Sequence, residues 1–121
     1  MLICHLSYEV DPTKLLEFEQ YARAWVRLIE RYGGTHMGYF VATEAPEGLG
    51  FSFPGRGRSG RSNAAFALFS FADLAAYEAY RRAVRLDPDC EAAEDLFKIS
   101  ECFLSYERTF VRHIGASSPA S

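Results

Sequence analysis

Lysine is scarce in this 121-residue chain. Lys14 and Lys98 are the only two, and arginine supplies the other cations. The net charge is −3. A general nucleic-acid binder needs a basic surface, so that class is not expected. Cysteine is also sparse, at Cys4, Cys90 and Cys102. The number is odd and no Cys-x-x-Cys pair occurs, which argues against a disulfide framework and against zinc. The histidines His5, His36 and His113 have no paired spacing either. The longest wholly apolar run is the six residues Ala64-Ala65-Phe66-Ala67-Leu68-Phe69. A membrane-spanning helix needs about 18. No basic leader precedes Leu2-Ile3-Cys4-His5. A soluble, cytoplasmic protein without a membrane partner is the expectation. No phosphate-binding Gly-Lys-Ser/Thr turn, dinucleotide fingerprint or Gly-x-Ser-x-Gly elbow appears, so no metal or nucleotide cofactor is expected.

What the chain has is apolar and aromatic bulk: 49% hydrophobic and 15% aromatic residues. A chain of this size can bury about two-thirds of its unfolded surface. One domain over residues 1–113 is expected, with the Gly/Ser/Pro-containing tail 114–121 disordered.

Leu2, Cys4, Leu6, Tyr8 and Val10 alternate with less apolar residues, the period of a strand. Asp11-Pro12 then opens a helix, Asp11 as cap and Pro12 in the first turn. Leu15, Phe18, Ala22, Trp25, Ile29 and Tyr32 recur at helical spacing until Gly33-Gly34. Residues 35–41 read as a second strand. Residues 44–63 hold five glycines, Pro46, Pro54 and the run Gly55-Arg56-Gly57-Arg58-Ser59-Gly60-Arg61. They predict a long loop, with Phe51 and Phe53 pinning its start to the core or to a neighbouring subunit. Ala64–Ser70 is apolar on both faces and so predicts a central strand. A helix starts near Asp73, with Leu74, Tyr77, Tyr80 and Val84 inward. A shorter one starts at Asp87-Pro88, carrying Ala92, Ala93, Leu96 and Phe97. Cys102–Val111 is the last strand.

This order predicts an α+β, ferredoxin-like βαββαβ fold, an antiparallel sheet with helices on one face. Ile3, Phe40, Phe66, Leu68 and Phe103 fall on one face. Leu2, Leu6, Tyr39, Phe69 and Leu104 fall on the other. An apolar face without helices predicts a partner, and a second copy is the simplest: a homodimer through the open sheet face.

Gly33-Gly34-Thr35-His36-Met37-Gly38-Tyr39-Phe40 resembles the second-strand motif of NIPSNAP-family proteins. So do Phe69-Ser70-Phe71 with Leu74-Ala75-Ala76-Tyr77-Glu78-Ala79-Tyr80-Arg81, Asp87-Pro88-Asp89-Cys90, and Ser105-Tyr106-Glu107-Arg108-Thr109-Phe110. The resemblance spans residues 1–113 apart from the loop Glu47–Ser62, where shorter members turn more tightly. It implies a dimeric α+β barrel and no assigned reaction.

Four residues are candidates for chemistry. His36, between Gly34 and Gly38, has the titration range of a general acid or base. Tyr39, Tyr106 and Arg108 carry groups that orient a small ligand in an apolar cleft. By strand parity Tyr106 and Arg108 share a face, and Glu107 points away. A small-molecule binder, or a cofactor-free enzyme of the oxygenase or isomerase type, is one expected function. The other is a non-catalytic homodimeric interaction or regulatory module, with the arginine loop meeting an acidic partner.

Overall fold

The computed structural model describes residues 1–115; the part of the expected tail beyond Gly115 lies outside the described residues. Four strands form one antiparallel sheet: β1 (Leu2–Val10), β2 (Thr35–Val41), β3 (Ala64–Phe71) and β4 (Phe103–Val111). Their order is β2-β3-β1-β4, so β1 and β3 are central and β2 and β4 are edges. Three helices connect them: α1 (Leu15–Arg31), α2 (Leu74–Val84) and α3 (Pro88–Ser100). This is the ferredoxin-like α+β arrangement, with α2 and α3 together filling the second crossover. At 13 residues α3 is longer than the 11 of α2, against the shorter helix expected from sequence.

Local chemistry sets the boundaries. Asp11 caps a 3₁₀ turn at Pro12–Lys14 by accepting the Thr13 N–H at 2.9 Å. Asp73 and Asp87 cap α2 and α3 in the same way, accepting from Ala76 and Asp89. Such caps satisfy backbone donors that have no partner within the helix. Gly33 ends α1 at φ +96°, a conformation that side chains rarely adopt. Gly34 then returns its N–H to the Ile29 carbonyl at 2.9 Å.

The helices cover the face that carries Cys4, Tyr8, Val10, Ala65 and Phe69. These residues are buried with Phe18, Leu28 and Ile29 of α1 and Tyr77, Tyr80 and Val84 of α2. Leu15 and Leu74, expected on the inner stripes, are exposed at the first positions of their helices. All three cysteines are buried and free. Among the described residues no helix is long and apolar enough to cross a membrane.

Two irregularities break the period of 2, and both matter for the site. In β2 the register shifts between His36 and Tyr39, where Gly38 adopts φ +103°. His36 pairs with Phe69 and Tyr39 with Ala67, so both rings face the helices although three residues apart. Between β1 and β4 the register shifts at Glu9/Val10, which pair with Ser105 and Phe103. Phe103 therefore joins Tyr106 on the helix face and stacks on Phe97 of α3 at 4.3 Å. Parity alone put Phe103 on the outer face and Leu104 inside; the bulge reverses both, and Leu104 is exposed.

The segment between β2 and β3 has no regular structure and is exposed throughout its tip. Its end is tied to β1 by Asn63, whose carbonyl accepts the Val10 N–H and whose side chain donates to the Val10 carbonyl. Arg61 adds an ion pair with Glu9 at 2.9 Å. Phe51 and Phe53 do not reach the core of this chain: both are exposed, and the Phe51 ring lies over Gly57 within the same loop.

Candidate functional site

The helices do not fill the space above the sheet. A cavity of about 650 Å³ remains between them. Its floor comes from Cys4, Leu6 and Tyr8 of β1, Tyr39 of β2, Phe69 of β3, and Phe103, Tyr106 and Arg108 of β4. Its roof comes from Tyr21, Trp25 and Ile29 of α1, Tyr77, Tyr80, Arg81 and Val84 of α2, and Cys90 and Phe97 of α3. Arg85, Glu94 and Lys98 complete the rim. The volume falls within the about 300–1,000 Å³ of small-molecule sites. A second recess, near Val10, Pro12, Leu15 and Asn63, holds about 130 Å³ and is too small for such a ligand.

The lining is rich in phenols. Six of the chain's seven tyrosines border the cavity. The hydroxyls of Tyr8 and Tyr39 face each other at 3.5 Å, the outer limit of a hydrogen bond. Burial pushes the phenols of Tyr8, Tyr21, Tyr39 and Tyr80 above the ordinary tyrosine range, because the charged form is poorly solvated there. These four stay protonated at neutral pH and offer donors rather than bases. The Trp25 indole N–H is buried without a hydrogen-bond partner. It favours the ionised Tyr21 phenol against the stronger push of burial.

At one end of the cavity the chemistry turns cationic. Nη1 of Arg81 donates to the Tyr77 hydroxyl oxygen at 3.1 Å, and Nη1 of Arg108 donates to the same oxygen at 3.4 Å. The Arg108 guanidinium also lies 5.2 Å from the centre of the Phe110 ring.

Tyr39, Tyr106 and Arg108, chosen from sequence, thus meet on one cavity, and Glu107 is exposed on β4, paired with Ser7 on the other face. His36 does not join them. Its ring lies behind the wall, stacked on Tyr39 at 5.2 Å and on Phe69 at 5.4 Å. His5 is half-buried on the outer face against Phe66, and His113 is exposed. Sequence reading missed Tyr77 and Arg81 as site residues. Their spacing of four on α2 was the available signal, since it puts both on one side of the helix. Among the described residues no three His, Cys, Asp or Glu side chains gather in a group suited to a metal ion.

The sequence model of the NIPSNAP family matches residues 5–112. Three solved structures give the same fold at low identity. A NIPSNAP domain protein from Burkholderia xenovorans is 19% identical, with 98% of this chain and 99% of that one covered and a TM-score of 0.68. A NIPSNAP family protein of unknown function from Agrobacterium tumefaciens is 13% identical, with coverage of 97% and 91% and a TM-score of 0.70. A provisionally assigned antibiotic biosynthesis monooxygenase from Nitrosomonas europaea is 9% identical, with coverage of 95% and 100% and a TM-score of 0.59. At these identities the likeness concerns the fold. No curated protein matches the chain.

Proposed function

The chain belongs to the NIPSNAP family, and from that premise we propose that it binds or converts a small, partly apolar ligand in the cavity between sheet and helices. One observation carries this reading. The chain has ten phenylalanines, seven tyrosines and a tryptophan, yet it leaves about 650 Å³ unfilled above its sheet. Interiors normally pack to the density of organic crystals, and aromatic walls left open to water forgo the hydrophobic gain of burial. A purely structural module gains nothing from such a space.

In this reading Tyr39, Tyr106 and Arg108 orient the ligand, with Leu6, Phe69 and Phe103 against its apolar body. His36 supports Tyr39 from behind by ring stacking; neither of its nitrogens bonds to the Tyr39 hydroxyl, so in this reading it positions Tyr39 and does not pass a proton to the ligand. No metal or nucleotide is invoked. If the ligand is converted, the reaction is of the cofactor-free oxygenase or isomerase kind, an analogy that rests on fold. A cytoplasmic location belongs to the same reading, supported by three buried free thiols.

The proposal includes a homodimer through the open sheet face. Phe40 and Phe66 stack there at 5.1 Å, each more than two-fifths exposed in the single chain. That face also favours the second reading, a non-catalytic homodimeric interaction module.

Native mass spectrometry of freshly purified protein tests the proposal, with Trp25 emission as a second reading of occupancy. A dimer carrying a discrete extra mass, released together with a change in Trp25 emission, is the expected result. An empty dimer whose Trp25 emission responds to no compound in a small-molecule panel sinks the ligand reading and leaves the interaction module.

A further inference from the structure

The charges at the cavity mouth identify the polar end of the ligand, an inference that rests on the cavity being the binding site. Arg81, Arg85, Lys98 and Arg108 border it, against the single carboxylate of Glu94. The chain as a whole is acidic, at net −3. The mouth therefore carries a local charge opposite to that of the molecule, and low-dielectric walls focus such a field.

Two of these cations are held together. The guanidinium groups of Arg81 and Arg108 both donate to the Tyr77 oxygen, one from helix α2 and one from strand β4. Among the described residues neither makes an ion pair, whereas Arg23, Arg31 and Arg61 each reach a carboxylate. Among the described residues Glu94 makes no ion pair with either arginine; its carboxylate oxygen instead accepts from the Cys90 thiol at 3.8 Å. Two like charges gathered on one neutral oxygen repel each other, and an anion between them removes that repulsion. The Tyr77 oxygen already accepts from both arginines, so its own proton is free to be donated. Three donors then converge: two guanidinium forks and one phenol. Forked guanidinium donors match the two oxygens of a carboxylate. Beside them the wall turns aromatic, with Tyr8 and Tyr106 stacked at 5.9 Å.

We infer that the cavity takes an apolar carboxylate, its head held by Arg81, Arg108 and the Tyr77 hydroxyl and its body lying along the tyrosine-lined floor.

Three compounds of one shape separate the possibilities by isothermal titration calorimetry: naphthoate, neutral naphthamide and naphthyl phosphate. Naphthoate is expected to bind at least about tenfold more tightly than naphthamide, a factor worth about 1.4 kcal/mol. Its affinity should fall with added sodium chloride, while that of naphthamide stays level. The double variant Arg81→Gln/Arg108→Gln should lose the preference and bind naphthoate and naphthamide alike. Arg108→Lys, which keeps the charge and loses the fork, should fall between the two. The salt comparison uses only the natural protein, so it stands even if the double variant misfolds. Equal binding of naphthoate and naphthamide, both lost in the cavity-filling variant Leu6→Trp, overturns the carboxylate inference and leaves the cavity reading intact. Tighter binding of the phosphate than of naphthoate overturns the choice of head. Binding of none of the three overturns this inference and counts against the cavity reading as well.

Discussion

The backbone N–H of Gly38 donates to Nδ1 of His36 at 2.8 Å. That bond leaves the imidazole proton on Nε2, which is buried and has no partner. Protonating Nδ1 would set one donor against another, inside a stack formed by Tyr39 and Phe69. Burial accordingly holds His36 below the ordinary histidine value of 6.5, and the nearby negative charge of Glu30 opposes this only in part.

A pH dependence of stability follows from this pair. The unfolded chain takes up a proton at His36 near pH 6.5, while the folded chain takes it up only at lower pH. Stability is therefore full above about pH 6.5 and declines as pH falls through the window below it. Thermal melts of the natural protein and of His36→Gln should diverge least at about pH 5 and most at about pH 7.5. Nuclear magnetic resonance should place the His36 midpoint below 6.5. A His36 midpoint at or above 6.5 would show that the ring is not held neutral by burial.

Gly38→Ala tests the bulge itself. A Cβ built on Gly38 meets no heavy atom within 4 Å, so crowding plays no part. The cost is the backbone angle of +103°, worth about 1–3 kcal/mol of folding stability for a residue with a side chain. Urea unfolding should register that loss. Unchanged stability would mean that the register shift does not depend on glycine at this position.

The contrast between Gly38 and Phe103 shows what could be read in the sequence. Alternation located β1, a run apolar on both faces located β3, and Asp-Pro located two helix starts, because each signal is local. The glycine inside β2 marks a place where the period of 2 can break, and it breaks there. The bulge opposite Glu9/Val10 leaves no such mark. Nothing in Cys102-Phe103-Leu104-Ser105 announces it, so Phe103 and Leu104 exchange faces relative to parity. The site divides in the same way. Tyr106 and Arg108 share a face by parity, past the point of the bulge. Tyr77 and Arg81 share a helix face by spacing, but their meeting with Arg108 depends on how α2 crosses the sheet, which no local pattern encodes.

Asp87 joins the end of α1 to the start of α3. One of its carboxylate oxygens accepts from the Tyr32 hydroxyl and from Arg31 Nη1, each at 2.7 Å, and the other accepts the Asp89 N–H at 2.8 Å. The Tyr32 bond, then the Asp89 N–H and Arg31, hold its carboxyl down to about 2. A carboxyl depressed on folding stabilises above its unfolded value of 3.8 and loses that contribution as pH falls through about 2. Asp87→Asn keeps the cap and loses the charge; Asp87→Ala loses both. Melting temperatures at neutral pH should rank natural protein, Asn, Ala, and the first two should converge near pH 2. A constant gap between those two across that range would mean that the charge of Asp87 does not contribute.

Phe66 tests the proposed homodimer. It lies on β3, one of the two central strands, and its ring stacks between Phe40 at 5.1 Å and His5 at 5.8 Å. Ile3 and Leu68 lie on the same face, half-buried, so the apolar patch runs across the sheet rather than along an edge. A patch of this kind contributes about 25 cal/mol per Å² when a partner covers it. A carboxylate at its centre would be buried without a counter-charge, and burying an unpaired charge costs more than the patch regains. Sedimentation equilibrium should therefore find a dimer at micromolar concentration for the natural protein and a monomer for Phe66→Asp. Because Phe66 points away from the helices, the variant should keep its helical circular dichroism and the emission of Trp25. A natural protein that sediments as a monomer would overturn the homodimer, and the exposed Phe40–Phe66 stack would then need a different partner.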